Sequence, residues 1–128
     1  MHESDRIQAV HRYLNKDHLV VWKIADPYHR GVADAYYSGP KGDLWIEYKS
    51  QSLNKRRPTV PRVSTLQDKW LSKQHAHGRS VWVVLFTDKN LHFILEKPSA
   101  WRRGVEPWAP ALEGYKAVAK AIEEHCNG

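Results

Sequence analysis

Apolar residues recur along this chain with two different periods, and the switches between them predict its elements. Ile7, Val10 and Leu14 fall three and four apart, which predicts a helix over residues 4–13, with Ser4 as its cap and Asp5 in its first turn. Residues 19–24 are a β-favouring run of six, predicting a central or near-central strand. Asp26, Pro27 and Gly31 mark a loop. Two runs, 31–37 and 43–49, then flank the turn residues Gly39, Pro40 and Gly42 and predict a hairpin. Side chains alternate faces along a strand, so Leu44, Ile46 and Tyr48 point one way and Trp45, Glu47 and Lys49 the other.

Residues 50–62 follow neither period and are broken by Pro58 and Pro61, which predicts a mobile loop. Ser64 and Gln67 form a capping box that opens a helix with Leu66, Trp70 and Leu71 as its buried stripe, stopped at Gly78. Residues 80–86 read as a buried strand and 91–95 as its hairpin partner. A Pro- and Trp-rich connection over 98–110 leads to an amphipathic helix over 112–125. The predicted order is α-β-β-β-α-β-β-α, in a single domain spanning residues 1–128.

Composition narrows the setting. Hydrophobic residues make up 41% of the chain, with six Trp and six Tyr, as in a globular domain. No apolar run reaches the ~18 residues of a membrane span, and the first residues lack a secretory pattern. The lone Cys126 permits no intrachain disulfide and no Cys-based zinc site, which favours a reducing cytoplasm. A net charge of +6 points to a polyanionic partner, nucleic acid first.

The chemistry gathers at one end of the hairpin. If the strands pair, Asp34 lies beside Glu47, with Lys49 one pleat beyond. Two carboxylates and a lysine suit a hard divalent cation and a water to be activated. The bland alternative is a solvated surface ion pair, worth little. Lys55, Arg56, Arg57 and Arg62 follow the strand directly and are placed for phosphate contact, with Arg30 a weaker addition. A solvated basic face is the competing reading. His75 and His77, two apart, do not share a helical face and form no ligand pair. Most of the tryptophans read as core, whereas Trp101 and Trp108 lie in irregular sequence and suit an interface better than base stacking.

This order, with these residues, resembles the PD-(D/E)XK nuclease superfamily. Asp34 stands where the family's first acid belongs, and Glu47, Tyr48 and Lys49 match its E-x-K half. The pattern is most similar to small stand-alone VRR-NUC nucleases, Holliday-junction-resolvase-like and often carried by bacteriophages. It runs through Gly31 and Asp34, Glu47 and Lys49, the Ser64–Gln67 helix start with Trp70 and Leu71, and Gly78 before the strand at 81–84. The match covers about residues 3–95, with an extension over about 98–128. Ala33 replaces the motif's proline, and the loop over 50–63 is long and basic for the family.

The resemblance implies a restriction-endonuclease-like α/β fold: an α-β-β-β-α-β core, a central mixed sheet flanked by helices, and here an extra C-terminal helix. It implies a Mg2+-dependent endodeoxyribonuclease, with Mn2+ able to substitute and no small-molecule cofactor. Asp34, Glu47 and the Tyr48 carbonyl would be the metal ligands, and Lys49 would orient the attacking water. Glu3 is either the family's first-helix acid or simply a helix-start carboxylate; Gln67 is a capping residue, a site residue, or both. The implied substrate is DNA with branches, junctions or flaps. The implied assembly is a homodimer, to which the apolar Trp101, Trp108, Ala111, Leu112, Tyr115, Val118 and Ile122 would contribute. The compartment is the cytoplasm, that of a host for a phage protein. A non-catalytic nucleic-acid-binding module on the same fold, and a nuclease acting on RNA, are the alternatives.

Overall fold

A computed structural model describes residues 2–26, 28 and 31–128. The elements run α1 (Glu3–His11), β1 (Val20–Lys23), β2 (Ala35–Gly39), β3 (Gly42–Ser50), α2 (Thr65–Ala76), β4 (Val81–Phe86), β5 (Leu91–Leu95), α3 (Pro98–Arg103), β6 (Leu112–Glu113) and α4 (Tyr115–Asn127). The six strands form one mixed sheet in sequence order. β3 and β4 are parallel, with α2 as the crossover between them; the other neighbours are antiparallel.

The alternation of β3 separates two layers. Leu44, Ile46 and Tyr48 join Trp82, Val84 and Phe86 of β4 in the main core, closed by Ile7 and Val10 of α1 and by Val118, Ala119, Ile122 and Cys126 of α4. On the opposite face, Val81 and Val83 meet Leu71 of α2 and Trp101 of α3. β4 is buried along its whole length, as expected of a strand covered by helices on both faces.

Several expectations need correction. α1 is not capped by Ser4, which lies inside it; the N–H of His2 is bonded to Asp5 Oδ2 at 3.2 Å instead. β1 is an edge strand, paired to β2 alone, and mostly exposed. A run of β-favouring residues reports extended backbone and says nothing of depth in the sheet. Leu66 is 51% exposed, so the buried stripe of α2 reduces to Leu71 with Trp70 half-buried. The connection over 98–110 contains α3, opened by Pro98 at its first turn.

The C-terminal apolar residues are largely spent within this chain. Trp101, Val118 and Ile122 are buried, Leu112 and Tyr115 pack against the main core, and Trp101 donates Nε1–H to Asp68 Oδ1 at 2.7 Å. Arg102 grips the same Asp68 carboxylate at 3.1 Å, so α3 is latched to α2. Their surplus therefore gives no reason for a second subunit. Trp108, 79% exposed, and the small Ala111, also exposed, are the exceptions.

The loop after β3, expected to be free, is tied to the chain at several points. Thr59 and Val105 exchange backbone hydrogen bonds of 2.8 and 2.9 Å. That contact requires Gly104, with φ of 89°, because a Cβ there would sit 2.6 Å from the Thr59 carbonyl oxygen. Gln51 holds the loop from both ends of its amide, donating to Val60 O at 3.1 Å and accepting from Arg62 N–H at 2.7 Å. No helix among the described residues is long and apolar enough to cross a membrane.

Candidate active site

Asp34 sits one residue before β2, and its backbone carbonyl accepts from Ile24 N–H at 2.8 Å, extending the pairing with β1. The last β2–β3 pair is Ala35 with Ile46, so Tyr48 lies beyond the ladder. The Asp34 carboxylate takes the place of the missing strand: its Oδ2 accepts Tyr48 N–H at 2.8 Å. Backbone groups alternate sides along a strand, so the Tyr48 carbonyl is directed to the same edge, toward Asp34. Gly31 fixes this approach. Its φ of 88° lets the loop press on the first turn of α2, where a Cβ would lie 2.5 Å from Leu66 O.

Glu47 is 1% exposed on the face turned toward α2. Its Oε2 receives Gln67 Nε2–H at 2.9 Å and pairs with Lys49 Nζ at 3.3 Å, while its Oε1 is buried with no hydrogen-bond partner. Gln67 is the third residue of α2. It completes the predicted capping box, its side chain accepting Ser64 N–H at 3.0 Å and its backbone N–H donating to the Ser64 hydroxyl oxygen at 3.1 Å, and still reaches Glu47. The two ends of its amide are used separately, the oxygen in the cap and the nitrogen on the Glu47 carboxylate.

Electrostatics ties Glu3 to the same cluster. Burial pushes the Glu47 carboxyl up to about 8, with Asp34 adding to the rise, Lys49 opposing it, and Glu3 raising it slightly further. Asp34 is raised by burial against the opposing Tyr48 N–H and Lys49. Glu3 is raised by burial and by Asp34, and is lowered by Lys49 and the Ser50 backbone N–H. Three carboxylates thus gather at Lys49, with Lys23 acting more weakly on Asp34 and Arg6 on Glu3, and the cluster as it stands favours holding a proton. Such an excess of acid, with one carboxylate oxygen buried and unpartnered, fits a hard cation. No set of three or more His, Cys, Asp or Glu among the described residues forms a ready metal cage. Mg2+ does not require one, since it is held by one or two carboxylates with waters and substrate phosphate oxygens.

Lys55, Arg56, Arg57 and Arg62 are all exposed. Asn54 Oδ1 accepts Arg56 N–H at 2.8 Å and Arg57 N–H at 3.2 Å, so the three consecutive cations ride on a built turn beyond the end of β3. Arg30 lies outside the described residues. One feature escaped the sequence reading: a buried chain from His11 Nε2 to the Tyr37 hydroxyl (2.6 Å) and on to the Tyr48 hydroxyl (2.7 Å). The signal was present in Tyr37 and Tyr48 at inward strand positions, where a phenol must find a partner, and in His11 four residues after Ile7.

No protein-family model matches this sequence, and no curated protein sequence matches it. Among solved structures, the chain is similar to Hjc, a Holliday junction resolvase from the archaeal hyperthermophile Archaeoglobus fulgidus. The TM-score is 0.56 at 14% identity, covering 92% of this chain and 96% of that one. At that identity the likeness establishes the fold, a restriction-endonuclease-like mixed sheet with flanking helices.

Proposed function

We propose that this chain is a metal-dependent endonuclease that hydrolyses DNA phosphodiester bonds, selective for branched, junction or flapped structures. The observation that carries the reading is Glu47: buried, with one oxygen unpartnered, and ringed by Asp34, Lys49 and Gln67 at the end of β3. A structural ion pair would have no use for the excess acid. The fold shared with a junction resolvase supports the class of substrate by analogy. The narrower likeness to VRR-NUC nucleases rests on the order of sequence motifs alone.

Asp34, Glu47 and the Tyr48 carbonyl would hold the ion, Mg2+ or Mn2+. When bound, it supplies Lewis acidity toward a phosphoryl oxygen and a lowered pKa for a coordinated water. Lys49, in reach of Glu47, places a compact positive charge where the attacking water is oriented and anionic charge develops. Gln67 fixes the Glu47 carboxylate by a hydrogen bond and so selects which oxygen remains free. Glu3 adds negative charge on the α1 side, where it competes for protons with Asp34 and Glu47. The basic turn at Lys55, Arg56 and Arg57 extends the cationic surface for phosphates flanking the cut.

Paired cuts need two sites, and a two-fold partner is the economical source of the second. A homodimer therefore belongs to this reading, although the C-terminal residues do not argue for it. Purified protein incubated with labelled duplex, flap, four-way junction, single strand and RNA, with and without Mg2+, tests the function. Asp34→Ala, Glu47→Ala and Lys49→Ala should each lower cleavage by about two orders of magnitude or more while the protein stays folded. Full activity in Glu47→Ala would remove the site, and preferential cutting of RNA would change the substrate class.

A further inference from the structure

Four aromatic rings run in a line across the sheet beside the acids. Trp22 of β1, Tyr36 of β2, Trp45 of β3 and Trp70 of α2 follow one another with centroid separations of 6.4, 4.5 and 5.3 Å. The register explains the line: Trp22 pairs with Tyr36, and Tyr36 with Trp45, so the three strand rings stand opposite one another on a single face. It is also the face of the candidate active site. Asp34 precedes Tyr36 by two residues and Glu47 follows Trp45 by two, so the rings begin about 7 Å along the strands from the two carboxylates.

The inner rings are covered and the outer ones are not. Trp45 and Trp70 pack against the core of the α2 layer. Tyr36 is half-buried, its ring held by a 2.8 Å hydrogen bond to Asp43, and Trp22 is 53% exposed on the edge strand. α2 closes the line at its Trp70 end. On the stripe of Trp70, four residues before it and three after, stand Leu66 and Lys73, both exposed, and Lys69 is exposed beside them. A large exposed Trp on an unpaired sheet edge is a liability that edge strands ordinarily avoid. An exposed aromatic on the face of the candidate site, in a chain of net charge +6, indicates a polyanion with flat apolar faces.

We infer that Trp22 and Tyr36 form a stacking platform for unpaired bases of the strand whose phosphate lies at Asp34 and Glu47. This rests on the nuclease reading and sharpens it: the preferred substrate would present unpaired nucleotides on one side of the cut, as a flap or an opened junction does. Every base has a π face, so the platform confers selectivity for single-stranded character, not for sequence.

The test is binding in EDTA, with no cleavage possible, of a labelled single-stranded oligodeoxynucleotide and of its blunt duplex. Wild-type protein should bind the single strand with a change in tryptophan emission. Trp22→Ala should weaken that binding by about tenfold, as for one lost base stack, and leave duplex binding unchanged, while Trp22→Phe restores most of it. Unchanged single-strand affinity in Trp22→Ala, or an equal loss for duplex, would overturn the platform. So would light scattering in which Trp22→Ala turns a dimer into a monomer, which would make this edge an interface between copies. Failure here is separable from failure of the active site: cleavage lost in Glu47→Ala but single-strand binding indifferent to Trp22 rejects only the platform. Trp22-dependent binding in a protein that never cleaves upholds the platform as a nucleic-acid surface and rejects the nuclease.

Discussion

Gln67 donates Nε2–H to Glu47 Oε2 at 2.9 Å while its Oε1 accepts Ser64 N–H at 3.0 Å, so one amide joins the start of a helix to the centre of the site. The two bonds use opposite ends of the amide, and this makes them separable. Gln67→Glu keeps an acceptor for Ser64 but turns a donor into a charge against a buried carboxylate. It should hold the cap and lose activity by about 10–100-fold. Gln67→Ala should lose a similar factor and also about 1 kcal/mol of stability with the capping box. Thermal melts and cleavage rates of the pair check this; a Gln67→Glu protein as active as wild type would reduce Gln67 to a cap.

Glu47 sets the response to pH. Its carboxyl is raised from 4.5 to about 8, so the protonated form is the one the fold favours in the absence of a cation. A folded-state pKa above the unfolded value contributes stability that is complete below about 4.5 and is lost as pH rises through about 8. Metal-free Glu47→Gln should therefore be more stable than wild type at pH 8, by roughly 4 kcal/mol, and nearly equal to it at pH 4.5. A divalent cation held at Glu47, as proposed, would compete with that proton. Calorimetry in buffers of different ionisation enthalpy should show Mg2+ binding tighten from pH 6 to 8 with release of a proton, and no release in Glu47→Gln.

The His11–Tyr37–Tyr48 chain should give the opposite pH dependence. Burial, reinforced by Lys16 and Lys23, lowers His11 from 6.5 to about 4, and burial with Arg6 lowers His92 to about 4. A depressed folded-state pKa means stability is complete above 6.5 and is lost as pH falls from 6.5 toward 4, by about 3 kcal/mol for each histidine. Tyr37→Phe leaves His11 Nε2 and the Tyr48 hydroxyl without their partner and should cost about 1–3 kcal/mol at neutral pH. Urea melts from pH 4 to 8 resolve the acid limb; stability flat across that range would mean the histidines are not buried neutral.

What could be read from the sequence divides along a physical line. Local signals translated well. The Ser64–Gln67 box, the Gly39–Gly42 turn and the alternation of β3 are each fixed within a few residues, and each is where the pattern placed it. The pairing of Asp34 with the end of β3 was also legible, since a hairpin register follows from its turn. Burial was not. Trp22 and Leu66 look like core in any window, yet depth depends on which strand lies at the edge and where a helix axis sits over the sheet. Likewise nothing local in residues 50–63 reveals that Thr59 is paired with Val105, forty-six positions away, and so the loop read as free.

That anchoring makes the basic loop a sharper target than a flexible tail would be. Lys55, Arg56 and Arg57 are exposed on a turn held by Asn54 and by the Thr59–Val105 bridge, so neutralising them leaves its supports in place. If the turn tracks phosphates, the triple change to Gln should weaken DNA binding by a similar factor for every sequence. Each lost contact releases about one fewer counterion, so the slope of log affinity against log salt should flatten by about two to three. The melting temperature should barely move, because exposed cations on an anchored turn contribute little to stability. Fluorescence anisotropy titrations across a series of salt concentrations measure the slope directly. An unchanged slope would return Lys55, Arg56 and Arg57 to a solvated face and leave the flanking phosphates to the cations of α2.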